Sequence, residues 1–302
     1  MHWRLRRIAF WLNEPLAVLR IEIVRIGAPL AILGFLSTRL AHADEWIGDG
    51  GFHVPDLEGD WRQPFYIPPL SAWAAWSIAA VLVLSALGCV LGIKARQSAV
   101  VFASALAFVA LSDRLAAFTV SKLSPVVMLA VAAGPAGSRL GVDAYFKRKK
   151  SGKPPKICKS SGAIRFLQLL PVVIYSASGI AKARGDWLTR PLVLWSHVHD
   201  SYQTPFAFAL ASVLPGWTWT VFQGLVLAFE VFAPLWFGFS RTRTPALLFG
   251  VGMHMMIGLM FGPVRWFALL MITLLVAGYL PERFLEPLDA LAQRLEPVRS
   301  PG

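Results

Sequence analysis

Lys182 stands at the polar end of an apolar stretch, in the run Tyr175-Ser-Ala-Ser-Gly179-Ile-Ala-Lys182-Ala-Arg-Gly185-Asp186-Trp187. Residues three, four and seven apart share a face of an α-helix, so Tyr175, Ser178 and Lys182 form one polar stripe. An amine kept from water gives up its proton more readily and can act as a base. An amine in the last helical turn is equally favoured by the helix dipole and can reach back to water along its own stem. Spacing alone leaves Lys182 with both roles, base and anchor. Gly185 reads as the helix stop, after which Asp186 and Trp187 turn back to the surface and Trp187 closes the rim of a site lined by Tyr175 and Ser178.

His254 is the second singleton, mid-run in Gly250-Val-Gly-Met-His254-Met-Met-Ile-Gly258. Small residues at this spacing let a neighbouring helix approach closely. Glu230 lies nine residues before Phe239, and His254 nine residues after Pro245, so each falls about 13 Å along its own helix at 1.5 Å per residue. Equal depth predicts a Glu230–His254 pair, either a structural hydrogen bond between helices or a proton-handling element. Arg20, Glu22 and Arg25 lie inside an apolar stretch on different faces, and Arg20 is expected to point inward. His197 and His199 lack the acidic or further histidine partners of a metal site, and Cys89 and Cys158 have no metal-binding or disulfide spacing. No metal is expected. Phosphate loops, zinc helices and serine elbows are absent from the sequence.

The elements that must carry these residues are membrane helices. Of 302 residues, 56% are hydrophobic and 15% charged, and the mean hydropathy is +0.57. That leaves too little polar surface to clothe a soluble globule. Apolar stretches predict an all-α, polytopic integral membrane domain of about eight helices, the third and fourth a hairpin of shorter spans. They run from about Pro15 to Ser37, Ser71 to Ile93, Ala99 to Leu111, Val120 to Ala133, Ile164 to Ala181, Trp217 to Phe239, Pro245 to Phe261 and Trp266 to Leu280. The expected organisation is a basic cytoplasmic N-terminus over 1–14, a membrane domain over 15–280 and a cytoplasmic tail over 281–302.

The formal charge of +12 sits in loops between the apolar runs rather than along one face, which argues for topology and against nucleic acid. Lys and Arg concentrate on the side of the N-terminus, so both termini are expected in the cytoplasm, in a bacterial inner-membrane arrangement. The block Lys147-Arg-Lys-Lys150 with Lys153, Lys156 and Lys159 is either a stop-transfer loop or a site for anionic headgroups. Residues 39–70 and 183–216 then face outward, with Trp46, Trp61, Trp187 and Trp195 at headgroup level. Ala41-His-Ala43 before Asp44 imitates a signal-cleavage site, but Glu22 and Arg25 would then lie in an unusually long charged leader, and retention of the first helix is expected.

Tyr175-x-x-x-Gly179-x-x-Lys182-x-x-x-Asp186-Trp187, Phe229-Glu230-x-x-x-Pro234 and Gly252-Met-His254 resemble the membrane domain of vitamin K-dependent gamma-carboxylases. Bacterial relatives of that domain are the horizontally transferred transmembrane, or HTTM, proteins. Leu16-Ala-Val-Leu-Arg20 is similar to the family's first-helix motif and Leu140-Gly-Val-Asp143-Ala to the segment after its helical hairpin. Where the family's hairpin helix carries an Asn-His pair, this chain has Thr119-Val-Ser-Lys122. The resemblance covers about 15 to 280 and does not include the carboxylases' large lumenal region. It implies Lys182 as the base that deprotonates a reduced, vitamin K-like quinone, and it places His254 in a membrane-domain motif. Arg20, Tyr175, Ser178, Asp186, Trp187 and Glu230 are the residues expected to bind substrate or cofactor.

Three functional classes follow as expectations. The first is a quinol-linked, carboxylase-like membrane enzyme. The second is a non-catalytic partner in maturation, export or immunity for a secreted peptide or protein, and the third is a transporter or lipid-binding protein.

Overall fold

The structure is a computed structural model, and it describes residues 14–54, 66–113, 118–151, 157–158 and 161–294. Arg4, Arg6 and Arg7, Trp61, Lys153, Lys156 and Lys159, and the end of the tail beyond 294, lie outside the described residues. The chain divides into two compact units, one of residues 1–164 with 286–302 and one of Arg165–Leu285.

The first unit is helical apart from a two-residue antiparallel pairing of β1 (Leu16–Ala17) with β2 (Ile157–Cys158). Its helices are α1 (Leu19–Ala41), α2 (Ala43–Trp46), α3 (Ala72–Leu91), α4 (Ala95–Ser112), α5 (Thr119–Ala133) and α6 (Val142–Ser151). Because β1 takes up Leu16 and Ala17, the first helix begins at Leu19 rather than at Pro15. Ile21, Val24, Ala28 and Ile32 form a fully buried stripe on α1, and α1 packs on α3 and α5.

The charges in the first half of α1 turn inward. Arg20, Glu22 and Arg25 are buried. α3 ends on Gly92 at φ 71, with Ile93 N–H bonded to the Gly88 carbonyl and Gly92 N–H to that of Cys89, the double closure that a left-handed glycine permits. The helix-end carbonyls still need donors, and Arg25 supplies them. Its guanidinium donates to the carbonyls of Cys89, of Val90 at 3.0 Å and of Leu140 at 3.1 Å, and it is ion-paired with Glu22. Glu22 also accepts from Arg139 N–H at 2.9 Å. Buried charge survives here because every partner is supplied by protein.

α7 (Gly162–Arg184) leads into the second unit, which continues with α8 (Val193–Val198), α9 (Pro205–Val213), α10 (Gly216–Val231), α11 (Ala233–Gly238), α12 (Ser240–Met260) and α13 (Arg265–Tyr279); α14 (Glu282–Arg294) follows. α12 packs on α13, α11 on α12, α10 on α8 and α11, and α9 on α8 and α12. Tyr279 donates its hydroxyl to the Gln168 carbonyl, and Gln168 donates to the Gly278 carbonyl at 2.6 Å, which ties α7 to α13.

The all-α membrane architecture expected from composition is present, but the count of eight spans is not carried over. α3, α4 and α7 are long and apolar enough to cross a membrane, and a fourth crossing is counted if α9 and α10, bent by 117°, form one broken span. α1 is not among them, and α5 and α13, of 15 residues each, rise only about 22 Å against a hydrocarbon core of about 30 Å. The single span expected from Trp217 to Phe239 breaks at Phe232. Pro234 explains the break, because it has no N–H to donate to the Glu230 carbonyl four residues earlier. α12 starts at Ser240 instead of Pro245. Thr242 Oγ1 donates to the Trp236 carbonyl at 2.8 Å and Arg243 Nε to that of Phe237 at 3.2 Å, so the added first turn is held on the end of α11.

Candidate ligand cavity and its polar pairs

α7 delivers Lys182 from its last turn, and Gly185 ends the helix as expected, its N–H bonded to the carbonyls of Ala181 and Lys182. The polar stripe does not act as one group. Tyr175 is buried and its hydroxyl meets His254 Nε2 at 2.7 Å. Seven residues on, Lys182 Nζ donates to both carboxylate oxygens of Glu230, at 2.6 and 2.7 Å. The two pairs are thus about 10 Å apart along α7. The Glu230–His254 pair expected from equal depth is replaced by these two. The extra turn of α12 before Pro245 and the break at Phe232 change both depths, which spacing in straight helices could not reveal.

Gly179 explains how Lys182 reaches its partner. A Cβ there would lie 2.6 Å from Val231 N and 2.8 Å from the Glu230 carbonyl carbon, so α7 meets the α10–α11 break backbone to backbone. Gly250 makes room for side chains around the second pair, since a Cβ there would stand 3.0 Å from Leu275, 3.2 Å from Phe229 and 3.7 Å from the Tyr175 hydroxyl. Tyr175 is further held between Phe229 and Phe237, with ring centroids at 5.1 and 6.4 Å. His254 Nδ1 is buried with no hydrogen-bond partner among the described residues.

Lys182, Glu230 and Trp187 stand in the wall of a cavity of about 830 Å³. Most of the remaining wall is apolar, including Phe222, Leu225, Val226, Met253, Met256 and Ile257, and His197 and Asp200 add a polar rim. The Trp187 ring lies 4.7 Å from Lys182 Nζ, in cation–π range. Gln223, buried in α10, places Trp187: its amide donates to the Trp187 and Arg190 carbonyls at 2.7 and 2.8 Å and accepts from Leu194 N–H at 3.0 Å. Trp219 closes another part of the wall from a cluster with Val198, Ala207 and Met260, and its buried indole N–H has no partner among the described residues.

Several expected binding residues fall elsewhere. Tyr175 and Ser178 do not line the cavity, the first because its hydroxyl is engaged by His254. Asp186 is exposed, and its carbonyl accepts from Thr189 and Arg190 N–H in the turn after α7. Arg20 is buried in the first unit and is not a cavity residue. No cluster of three or more potential metal ligands occurs among the described residues. Sequence reasoning missed Gln223 and helix α9. Gln223 was signalled by an amide within an apolar helix. α9 was signalled by Thr204-Pro205, where Thr204 Oγ1 accepts from Ala207 N–H at 3.2 Å and proline sits in the first turn, a strong helix start.

The HTTM domain family model matches residues 56–279, more than half of the chain and all of the second unit's polar pairs. The chain belongs to the HTTM domain family. α1, with Arg20 and the buried Glu22–Arg25 pair, precedes the matched residues of this HTTM chain. Neither a curated protein nor a solved structure matches it.

Proposed function

We propose that this HTTM-family membrane protein binds a reduced quinone in the cavity of its second unit and takes up a hydroxyl proton at the Lys182–Glu230 pair. The observation that carries the reading is the bidentate ion pair in the wall of a largely apolar cavity of about 830 Å³. A cavity of that volume with a few convergent polar groups suits an amphiphilic aromatic ligand. The donor set fits as well, because Trp187 and Trp219 supply ring faces and Trp219 retains an unused N–H.

The pair revises the roles that spacing suggested. A Lys182 ammonium holding both Glu230 oxygens is not itself a free base, whereas the carboxylate has lone pairs to spare. A reduced quinone supplies an acidic hydroxyl and two electrons. With such a group bound, Glu230 would accept its hydroxyl proton and Lys182 would stay an ammonium beside it, where a low dielectric strengthens charge attraction. Trp187 covers the pair and limits water. Tyr175 and His254 fix α7 against α12. In the cell the reading places the protein in a bacterial inner membrane with both termini cytoplasmic, as the asymmetry of Lys and Arg favours.

The test is a titration of nanodisc-embedded protein with reduced 2-methyl-1,4-naphthoquinone, following tryptophan emission for binding and the ultraviolet spectrum of the ligand for its ionisation. Lys182→Arg should bind and still ionise the ligand, because arginine keeps the charge and a bidentate hold on Glu230. Glu230→Gln should bind without ionising it. Ionisation retained in Glu230→Gln but lost in Lys182→Arg would return the base role to lysine, and no binding by the wild type would remove the quinone reading. A secreted peptide that co-purifies with the quinone-free protein would put a partner role in its place.

A further inference from the structure

We infer that the cavity is loaded sideways from the hydrocarbon, through a slit between α10 and α12, by a ligand that carries an apolar chain. The inference rests on the cavity being a ligand site and deepens the quinone reading by specifying the ligand's shape and route. Three observations carry it.

The first is length. Along α10 the wall runs from Trp219 to Glu230, and along α12 from Phe249 to Met260, which is about 16 Å in each case at 1.5 Å per residue. Spread over that length, a cavity of about 830 Å³ has a cross-section of about 50 Å². That is a trough, and a single bicyclic ring fills only part of it.

The second is the character of the rim. Phe222, Leu225, Phe249 and Met256 line the cavity and are nevertheless 43%, 49%, 37% and 39% exposed. All four are apolar and stand inside helices, so lipid would cover them more favourably than water. The opposite rim is of another kind, since His197 and Asp200 are exposed on and just after the short helix α8. The cavity therefore has an apolar opening and a polar opening, with Lys182 and Glu230 in its wall.

The third is the packing of the two helices that flank the apolar opening. α10 rests on α8 and α11, and α12 on α13, α11 and α9; α10 and α12 meet at Phe229 and Phe249, with ring centroids 4.8 Å apart, and away from that contact they present Leu225 and Met256 to the cavity between them. Met253, Met256 and Met260 follow one face of α12 into the cavity. Methionine has three rotatable bonds and adapts to an irregular apolar guest, which suits a flexible chain better than a rigid ring.

The experiment compares the tail-less ring with the same ring carrying prenyl chains of increasing length, in nanodiscs of the wild type, Leu225→Trp and Met256→Trp. Both substitutions add bulk at exposed positions of the slit. Affinity in the wild type is expected to rise at least tenfold with the first few prenyl units. The slit variants should slow loading of the prenylated ligand at least tenfold, and far more than they slow loading of the tail-less ring. Equal affinity for tailed and tail-less rings, or equal effects of the variants on both, would overturn the inference. A nitroxide-labelled stearate separates this result from failure of the quinone reading. An immobilised stearate signal that Gly252→Leu removes, with no quinone binding, leaves the slit standing and rejects the quinone; absence of any immobilised stearate or prenylated ligand rejects the slit.

Discussion

Gly179→Ala tests whether α7 meets the α10–α11 break backbone to backbone. The added Cβ would sit 2.6 Å from Val231 N and 3.0 Å from Glu230 Cβ, whereas ordinary contact begins at 3.4 Å. One helix must therefore withdraw by about 0.8 Å against main chain that has no rotamer to change, a displacement in the range where overpacking costs about 1–3 kcal/mol. Alanine returns up to about 1 kcal/mol of helix propensity, leaving a net loss of about 2 kcal/mol if the contact costs the upper figure. Gly224→Ala on α10 is the control, because a Cβ there meets nothing within 4 Å and only the favourable propensity remains. The two variants should thus differ by about 3 kcal/mol, which corresponds to roughly 6–12 °C in melting temperature at the scale found for domains of 150–250 residues. Tryptophan fluorescence melts in one detergent and at one scan rate give the comparison, a control needed because unfolding of such proteins is commonly irreversible. The same withdrawal should lengthen the Lys182–Glu230 bonds and weaken ligand binding. Equal melting temperatures for the two alanine variants would refute the close approach and with it the account of how Lys182 reaches Glu230.

Lys182→Met and Glu230→Leu should each destabilise the protein, the second by about 2–3 kcal/mol because it strands a partly buried ammonium, while the double variant recovers most of the loss; additive losses in the melts would show that the two residues do not interact. Arg25→Met should cost about 3–5 kcal/mol by leaving Glu22 buried without its cation, and Arg25→Lys should not restore it, because an ammonium lacks the planar fork that spans the Val90 and Leu140 carbonyls; a lysine variant with wild-type melting would contradict that capping role. A reporter active only in the cytoplasm should work when fused after residue 155 and fail after residue 200, and the reverse pattern would overturn the orientation inferred from Lys and Arg.

The sequence determined what kind of solvent this chain folds in and which residues merit attention. Its composition demands lipid, and the helices α3, α4 and α7 lie close to their apolar stretches. Tyr175, Lys182, Glu230 and His254 could be singled out because an ionisable or hydroxyl group in an apolar helix is costly unless partnered, and the glycines at Gly250 and Gly258 already marked a face where helices come close. Partnership itself was decided by the tertiary structure. It depends on the depth at which each residue meets its neighbour, and depth shifted when α12 began at Ser240 and the helix carrying Glu230 broke after Val231. A break of that kind moves a side chain by several ångströms without changing its place in the sequence, so Lys182 found Glu230 and Tyr175 found His254. The cavity, too, belongs to the tertiary structure alone, since periodicity identifies the apolar face of a helix but not whether that face will meet protein, lipid or an open space.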